Sequence, residues 1–477
     1  MKENNKIRGI FEGFTSGFLF KIVYLALVLI SFNTFALDVP YLKNAFVALS
    51  VALGGIVLIY RLIHFKRFIK MKYIWILVAF LASYLLSLLL NLRYGFLEPI
   101  QAMVWMTFQY FILFLKDPAR PCEKSQREFR VLSWIFCVYQ FCCSAASLVL
   151  LFLNYTELNF ERQPIKLAGI VWGRLWGVYT DPNYASVLSV AAIFLALYLV
   201  KCRKGVFVKI FFGFNTLIQL LYVAFSDSRT GLVCLAVAGA CYAYLRLVKL
   251  PKLDRKRLVR QTVSCITALC ILCVLLIVPK GITYTYNKVI ELTSSDITEP
   301  GETPQTPQEP PEPVIGREQD IESDVSNRRF DLWKSGLEIY RLKPIFGVSI
   351  FNAVAFAQEQ LPTTYLINND AGIFDSLHNA FLNVLMGQGI VGFVIFMIFI
   401  VLCVVLILKG YLKTKKEEYC RTNVRNAILI AVLAALGASM MFVGDIVYLN
   451  SGASFLFWNI LGCLVFYYSG EEQDALA

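Results

Sequence analysis

Twelve apolar runs govern what this chain can become. They lie at 18–37, 45–63, 73–91, 99–115, 131–153, 183–200, 206–226, 230–248, 262–280, 390–408, 426–445 and 452–469. Each approaches the roughly 20 residues that a helix needs to cross a bilayer. A bilayer admits only helices and closed barrels, and unbroken runs of this length select helices. Composition agrees: 58% of the 477 residues are hydrophobic and only 16% are charged. The expected fold class is therefore all-α, a polytopic membrane helix bundle of about 12 transmembrane helices.

The positive-inside rule sets the orientation. With the N-terminus inside, the inner loops are 64–72, 116–130, 201–205, 249–261 and 409–425. Each is basic, as in His64-Phe65-Lys66-Arg67 and Lys252-Leu253-Asp254-Arg255-Lys256-Arg257. The short outer loops hold few cations, chiefly Lys43, Arg93 and Arg229. The net charge of +12 thus reads as cations facing anionic membrane lipids, not as nucleic-acid binding. The basic start (Lys2, Lys6, Arg8) precedes a run of full span length, which reads as an uncleaved helix with both termini cytoplasmic. No cysteine falls in 154–182 or 281–377, so no outer disulfide framework is expected.

This reading divides the chain into spans 1–9 at 1–280, a large extracytoplasmic loop at 281–389 between spans 9 and 10, and spans 10–12 with a tail at 390–477. Within the loop, 292–325 is acidic and Pro-rich, a composition that cannot bury a core and predicts disorder. Residues 328–342 read as an amphipathic surface helix, with Phe330, Trp333, Leu337 and Tyr340 at helical spacing. Residues 375–389 read as a His-Asn helix interrupted by Gly387 and Gly389.

The candidate chemistry gathers on the outer face. Arg174 lies in the first long loop, Arg229 in the tight turn Ser226-Asp227-Ser228-Arg229-Thr230-Gly231, and Arg328 and Arg329 at the start of the surface helix. A guanidinium fork grips phosphate oxygens with two parallel bonds, and a diphosphate needs several such forks. The bland alternative is that Arg174 pairs with Asp181 and Arg229 with Asp227 as anchors. His378 is the only outer histidine and precedes Asn379. A neutral imidazole can take a proton from a sugar hydroxyl, with Asn379 orienting it or the substrate. The alternative there is a helix terminus capped by Asp375 or Ser376. Asp181-Pro182-Asn183 reads equally as a plain helix start, and Asp445 receives no role. There is no metal-ligand cluster, phosphate-binding loop or cofactor motif in the sequence.

Several motifs in order carry a family likeness. Gly173-Arg174-Leu175-Trp176-Gly177 leads to Asp181-Pro182-Asn183, Asp227-Ser228-Arg229-Thr230-Gly231, Arg328-Arg329 with Trp333, Pro344 and Gly347, then His378-Asn379 and Gly387 with Gly389 before a span. Over roughly 170–400 this resembles the O-antigen ligase and O-antigen (capsule) polymerase superfamily of integral membrane glycosyltransferases. The resemblance implies a bacterial plasma membrane enzyme that moves an undecaprenyl-diphosphate-linked glycan onto a sugar hydroxyl acceptor, without metal or cofactor. It puts catalytic roles on His378, Arg174 and Arg229, and substrate binding on Arg328, Arg329 and Asn379. Implied partners are the donor, the glycan acceptor, and polysaccharide-assembly proteins such as a chain-length regulator. Polymerisation of repeat units is favoured over ligase-type transfer to another carrier. A lipid-linked oligosaccharide flippase is the rival from another class, and it would show internal repeats and broken helices at mid-membrane.

Overall fold

The computed structural model describes residues 13–161, 165–202, 205–249, 257–295, 315–316, 328–370, 372–414 and 421–470. Its helices are α1 (Phe18–Ile30), α2 (Leu42–Ile63), α3 (Ile74–Leu90), α4 (Leu97–Phe108), α5 (Cys122–Phe152), α6 (Pro182–Cys202), α7 (Val206–Phe225), α8 (Arg229–Val248), α9 (Arg257–Ser295), α10 (Arg329–Leu342), α11 (Ala353–Gln360), α12 (Ala380–Lys413), α13 (Arg421–Ser439) and α14 (Gly452–Tyr468). Eight of them, α2, α5, α6, α7, α8, α9, α12 and α13, are long and apolar enough to cross a membrane. α1, α3 and α14 are shorter apolar helices, and α4 continues as a π-helical turn over Gln109–Phe114. The protein is thus a polytopic helical membrane protein. α6 and α14 are buried along nearly their whole length, whereas α9 and the later part of α12 present apolar faces outward.

Two segments depart from expectation. Residues 156–177 form a three-stranded antiparallel sheet rather than helix or loop: β1 (Thr156–Asn159), β2 (Lys166–Val171) and β3 (Arg174–Gly177). Its inner face covers a core of Cys143, Leu148, Ile170, Leu175 and Val178. α9 does not stop near 280 but runs to Ser295. Hydropathy falls there while helical packing continues, with Phe225 meeting Tyr286 edge-on at 5.0 Å. On α10 the buried residues are Leu332, Ser335, Gly336 and Ile339, while Phe330 and Leu337 are exposed. The small residues let α10 press onto the loop ahead of α12: a Cβ on Gly336 would meet Leu377 Cδ1 at 2.2 Å.

Most of the 292–325 insert lies outside the described residues. Ile315 and Gly316 are described, and Ile315 is buried in the core beneath the sheet. Its N–H donates to Asn287 Oδ1 at 3.0 Å, and Gly316 N–H donates to the Gly173 carbonyl at 2.9 Å.

α12 is broken at Gly389, where φ is 62° and ψ is −164°, a conformation reserved almost wholly for glycine. The break strips backbone groups of their helical partners, and residues 344–349 supply substitutes. Ile390 N–H donates to the Pro344 carbonyl (2.8 Å), Val348 N–H to Met386 O (3.1 Å) and Ser349 N–H to Gly387 O (2.9 Å). α3 completes the set: Ser87 Oγ donates to Gly387 O at 2.7 Å, and Ser83 Oγ donates to Gln388 Oε1 at 2.5 Å. A Cβ on Gly389 would stand 2.3 Å from the Ile345 carbonyl oxygen. Gly389→Ala is therefore expected to destabilise the protein by about 1–3 kcal/mol from backbone strain alone. The check is the thermal unfolding midpoint in detergent, and an unchanged midpoint would mean that the break yields easily.

Candidate functional site

Turns that open four helices come together at the end of the bundle that carries the long loop. The first begins in the β2–β3 hairpin. Trp172 and Gly173 both have positive φ, 49° and 65°, as a two-residue hairpin turn matched to strand twist requires. That turn sets Arg174 opposite Val171. Arg174 is only 7% exposed. Its Nε donates to the Ser226 carbonyl and its Nη2 to Asn183 Oδ1, both at 2.8 Å. Asp181 caps α6, its Oδ1 accepting from the N–H groups of Asn183 (2.6 Å) and Tyr184 (3.0 Å). Pro182 follows at the first helical position, where its missing N–H costs nothing.

The α7–α8 turn is joined to this one. Ser228 caps α8 by accepting from Gly231 N–H, and its hydroxyl donates to the same Asn183 Oδ1, each at 3.0 Å. Asn183 therefore ties Arg174 to the entrance of α8, where half-buried Arg229 is the first residue. Asp227 forms an ion pair with Lys280 of α9 at 2.7 Å.

The His segment closes the site from the long loop. Asn379 is buried and caps α12: its Oδ1 accepts from Phe381 N–H (3.0 Å) and Leu382 N–H (3.1 Å). The cap is thus Asn379 itself, not Asp375 or Ser376. Ser376 Oγ accepts instead from His378 N–H at 3.2 Å and from Asn383 Nδ2 at 3.0 Å. His378 adopts φ 48°, a conformation uncommon for any residue but glycine. α10 braces the segment, with Trp333 Nε1 donating to the Leu377 carbonyl at 3.1 Å.

At the start of α10 the two arginines part. Arg328 is exposed and its Nη1 donates to Tyr365 Oη at 3.4 Å. Arg329 is half-buried, sits over the Phe442 ring at 5.6 Å, and its charge reaches His378.

Electrostatics link the pieces. Burial holds the His378 imidazole below its ordinary value of 6.5; Asp181 opposes this, Arg329 adds to it, and Asp375 opposes it. His378 is accordingly a neutral base at pH 7. Asp445, in the α13–α14 connection, is pushed up to about 7, by burial first and then by Asp181 and Asp375. Sequence reasoning passed over Asp445, although a lone carboxylate closing an apolar run is a signal in membrane proteins. Among the described residues no three His, Cys, Asp or Glu side chains are gathered as a metal site.

The arrangement suits an anion. α6, α8, α10 and α12 begin here, and helix N-termini carry partial positive charge, with the first N–H groups of α6 and α12 already taken up by Asp181 and Asn379. Arg329 adds a full charge that acts on the imidazole, and Arg174 and Arg229 lie at the joined entrances of α6 and α8. A search of curated proteins finds no match. The family model described as O-Antigen ligase matches residues 214–397, which takes in Arg229, Arg329 and His378 and does not reach Arg174. Over those residues the chain is similar to the O-antigen ligase family.

Proposed function

We propose that the protein is a polysaccharide polymerase of the cell envelope, transferring a glycan from undecaprenyl diphosphate to a sugar hydroxyl. The observation that carries this reading is that Arg329 of α10 and Asp181, which caps α6 next to the Asn183–Arg174 contact, both act on His378, with Arg229, Arg329 and His378 inside the matched segment. The diphosphate lies against the arginines and the helix N-termini. As the bond from the anomeric carbon to the phosphate oxygen breaks, the arginines stabilise the charge gathering on the leaving group. The acceptor hydroxyl attacks that carbon, and His378 takes its proton. Undecaprenyl diphosphate departs with the electron pair. No step calls on a metal or cofactor. The long loop lies outside the cytoplasm on this reading, as the basic inner loops require. Twelve crossings follow if α1, α3, α14 and the α4 segment also span. Transfer to a different carrier, as in a ligase, uses the same geometry.

The break in α12 is the feature a flippase would share. Its freed backbone groups, however, are taken up by residues 344–349 and α3, so it serves as a packed joint rather than the lining of a transport path.

Two tests separate roles within the site. Arg329→Gln is expected to lower turnover about tenfold to a hundredfold, the cost of one charge-assisted contact, while Arg328→Gln stays near wild type. Equal losses in a reconstituted assay would remove the distinction between them.

The second test is pH. Protonation disables His378 as a base, so turnover falls on the acid side, at a pH below the ordinary 6.5. Ionisation of Asp445 at about 7 adds negative charge beside the diphosphate, so the apparent donor affinity falls on the alkaline side. Asp445→Asn should flatten the alkaline limb and leave the acid limb in place. An alkaline limb that persists in this variant would exclude Asp445 as its source.

A further inference from the structure

At the opposite end of the bundle the protein forms an open cavity of about 270 Å³. It lies where α1 and α13 begin, where α2 and α14 end, and beside the stretch that follows the π-helical turn. Lys21, Arg61, Lys116, Arg120 and Arg425 line it, against the carboxylates of Asp117 and Glu128. Both carboxylates are already committed, Asp117 to Arg67 and Glu128 to Arg120. Lys21, Arg61, Lys116 and Arg425 have no carboxylate partner among the described residues.

Their donors are also incompletely used. Arg61 is 6% exposed and donates from Nη1 to the carbonyls of Phe111 and Leu115. Its Nε is buried with no partner, as are the Nε atoms of Arg120 and Arg425. Lys116 Nζ is fixed by the Leu113 carbonyl and Asn459 Oδ1, both at 2.7 Å. Buried cations without counter-charge are costly, and a cavity that gathers them is built for an anion. Apolar surface lies alongside: Leu19, Leu62 and Ile63 are exposed next to Lys21 and Arg61.

We propose that this cavity binds a phosphate-bearing anion, and that its place at the helix ends beside exposed apolar side chains favours the headgroup of an anionic phospholipid. The binding is independent of the chemistry at the loop end. Arg61 is packed into the fold, so Arg425→Gln and Lys21→Gln are the informative variants.

Full-length protein in detergent is titrated separately with phosphatidylglycerol, phosphatidylcholine and inorganic phosphate. The thermal midpoint and lipid retention by native mass spectrometry are read together. Phosphatidylglycerol is expected to raise the midpoint and remain bound, phosphatidylcholine to do neither, and each variant to weaken the phosphatidylglycerol response about tenfold. If inorganic phosphate alone reproduces the rise and the variants lose it, the site is an anion site filled from solution. Equal responses to the two lipids, variants that respond like wild type, or no response to any of the three would overturn the proposal.

Discussion

His378→Ala is expected to leave a folded, membrane-inserted protein whose turnover of lipid-linked donor falls by about 10²–10⁴-fold, the range for losing a general base. The structure supports a clean variant. Capping of α12 is done by Asn379, and Ser376 meets the His378 backbone N–H rather than its ring. Removing the imidazole therefore costs little structure beyond the edge contact with Phe374 at 6.2 Å. Donor binding should survive, since the arginines remain. Lost binding with lost turnover would make His378 a diphosphate ligand; near-normal turnover in purified protein would end the base assignment.

The second large effect is expected at Arg174. Arg174→Lys keeps the charge but loses the fork. In the wild type, Nε and Nη2 each reach a separate acceptor, in the α7–α8 turn and on α6 respectively. A lysine ammonium cannot hold both positions, so the charge drifts and the α6–α8 entrance loosens. Turnover should fall by about a hundredfold or more, comparable to losing a preorganised donor at developing charge. Arg174→Lys and Arg229→Lys at full activity, with normal insertion, would support a purely structural role for both.

Much of this architecture was legible because a bilayer leaves few choices. Apolar runs near span length had to be helices, and those at 183–200 and 206–226 became α6 and α7 with bounds shifted by a residue or two. The break in α12 was readable in Gly387 and Gly389, since a glycine-only conformation leaves its mark in sequence.

What escaped has physical causes. The sheet at 156–177 has strands of four to six residues, too short and too bulged at Gly169 to show a period. The buried face of α10 was not legible, because its aromatic stripe is more hydrophobic than the small-residue face that packs inward. Beside a membrane an apolar stripe can face outward, and the inward face is chosen by small residues that permit close approach.

The site itself was partly legible. Arg174, Arg229 and His378 could be named, yet their joining through Asn183 and Asp181 could not, because those links cross between separate elements. Asn379 was read as a positioning or binding residue, and the structure uses its side-chain Oδ1 as a helix cap. Asp445 was passed over because the carboxylates that act on it, Asp181 and Asp375, lie far away in the chain.

On the proposed function, this bundle breaks a glycosyl–phosphate bond and forms a glycosidic bond at the loop end. The most direct measurement is incubation of the purified full-length protein, in liposomes, with undecaprenyl-diphosphate-linked repeat units. Longer glycan should appear together with free undecaprenyl diphosphate, and both should be lost in His378→Ala. Donor that crosses the bilayer with its diphosphate linkage intact, and with no longer glycan formed, would contradict this chemistry.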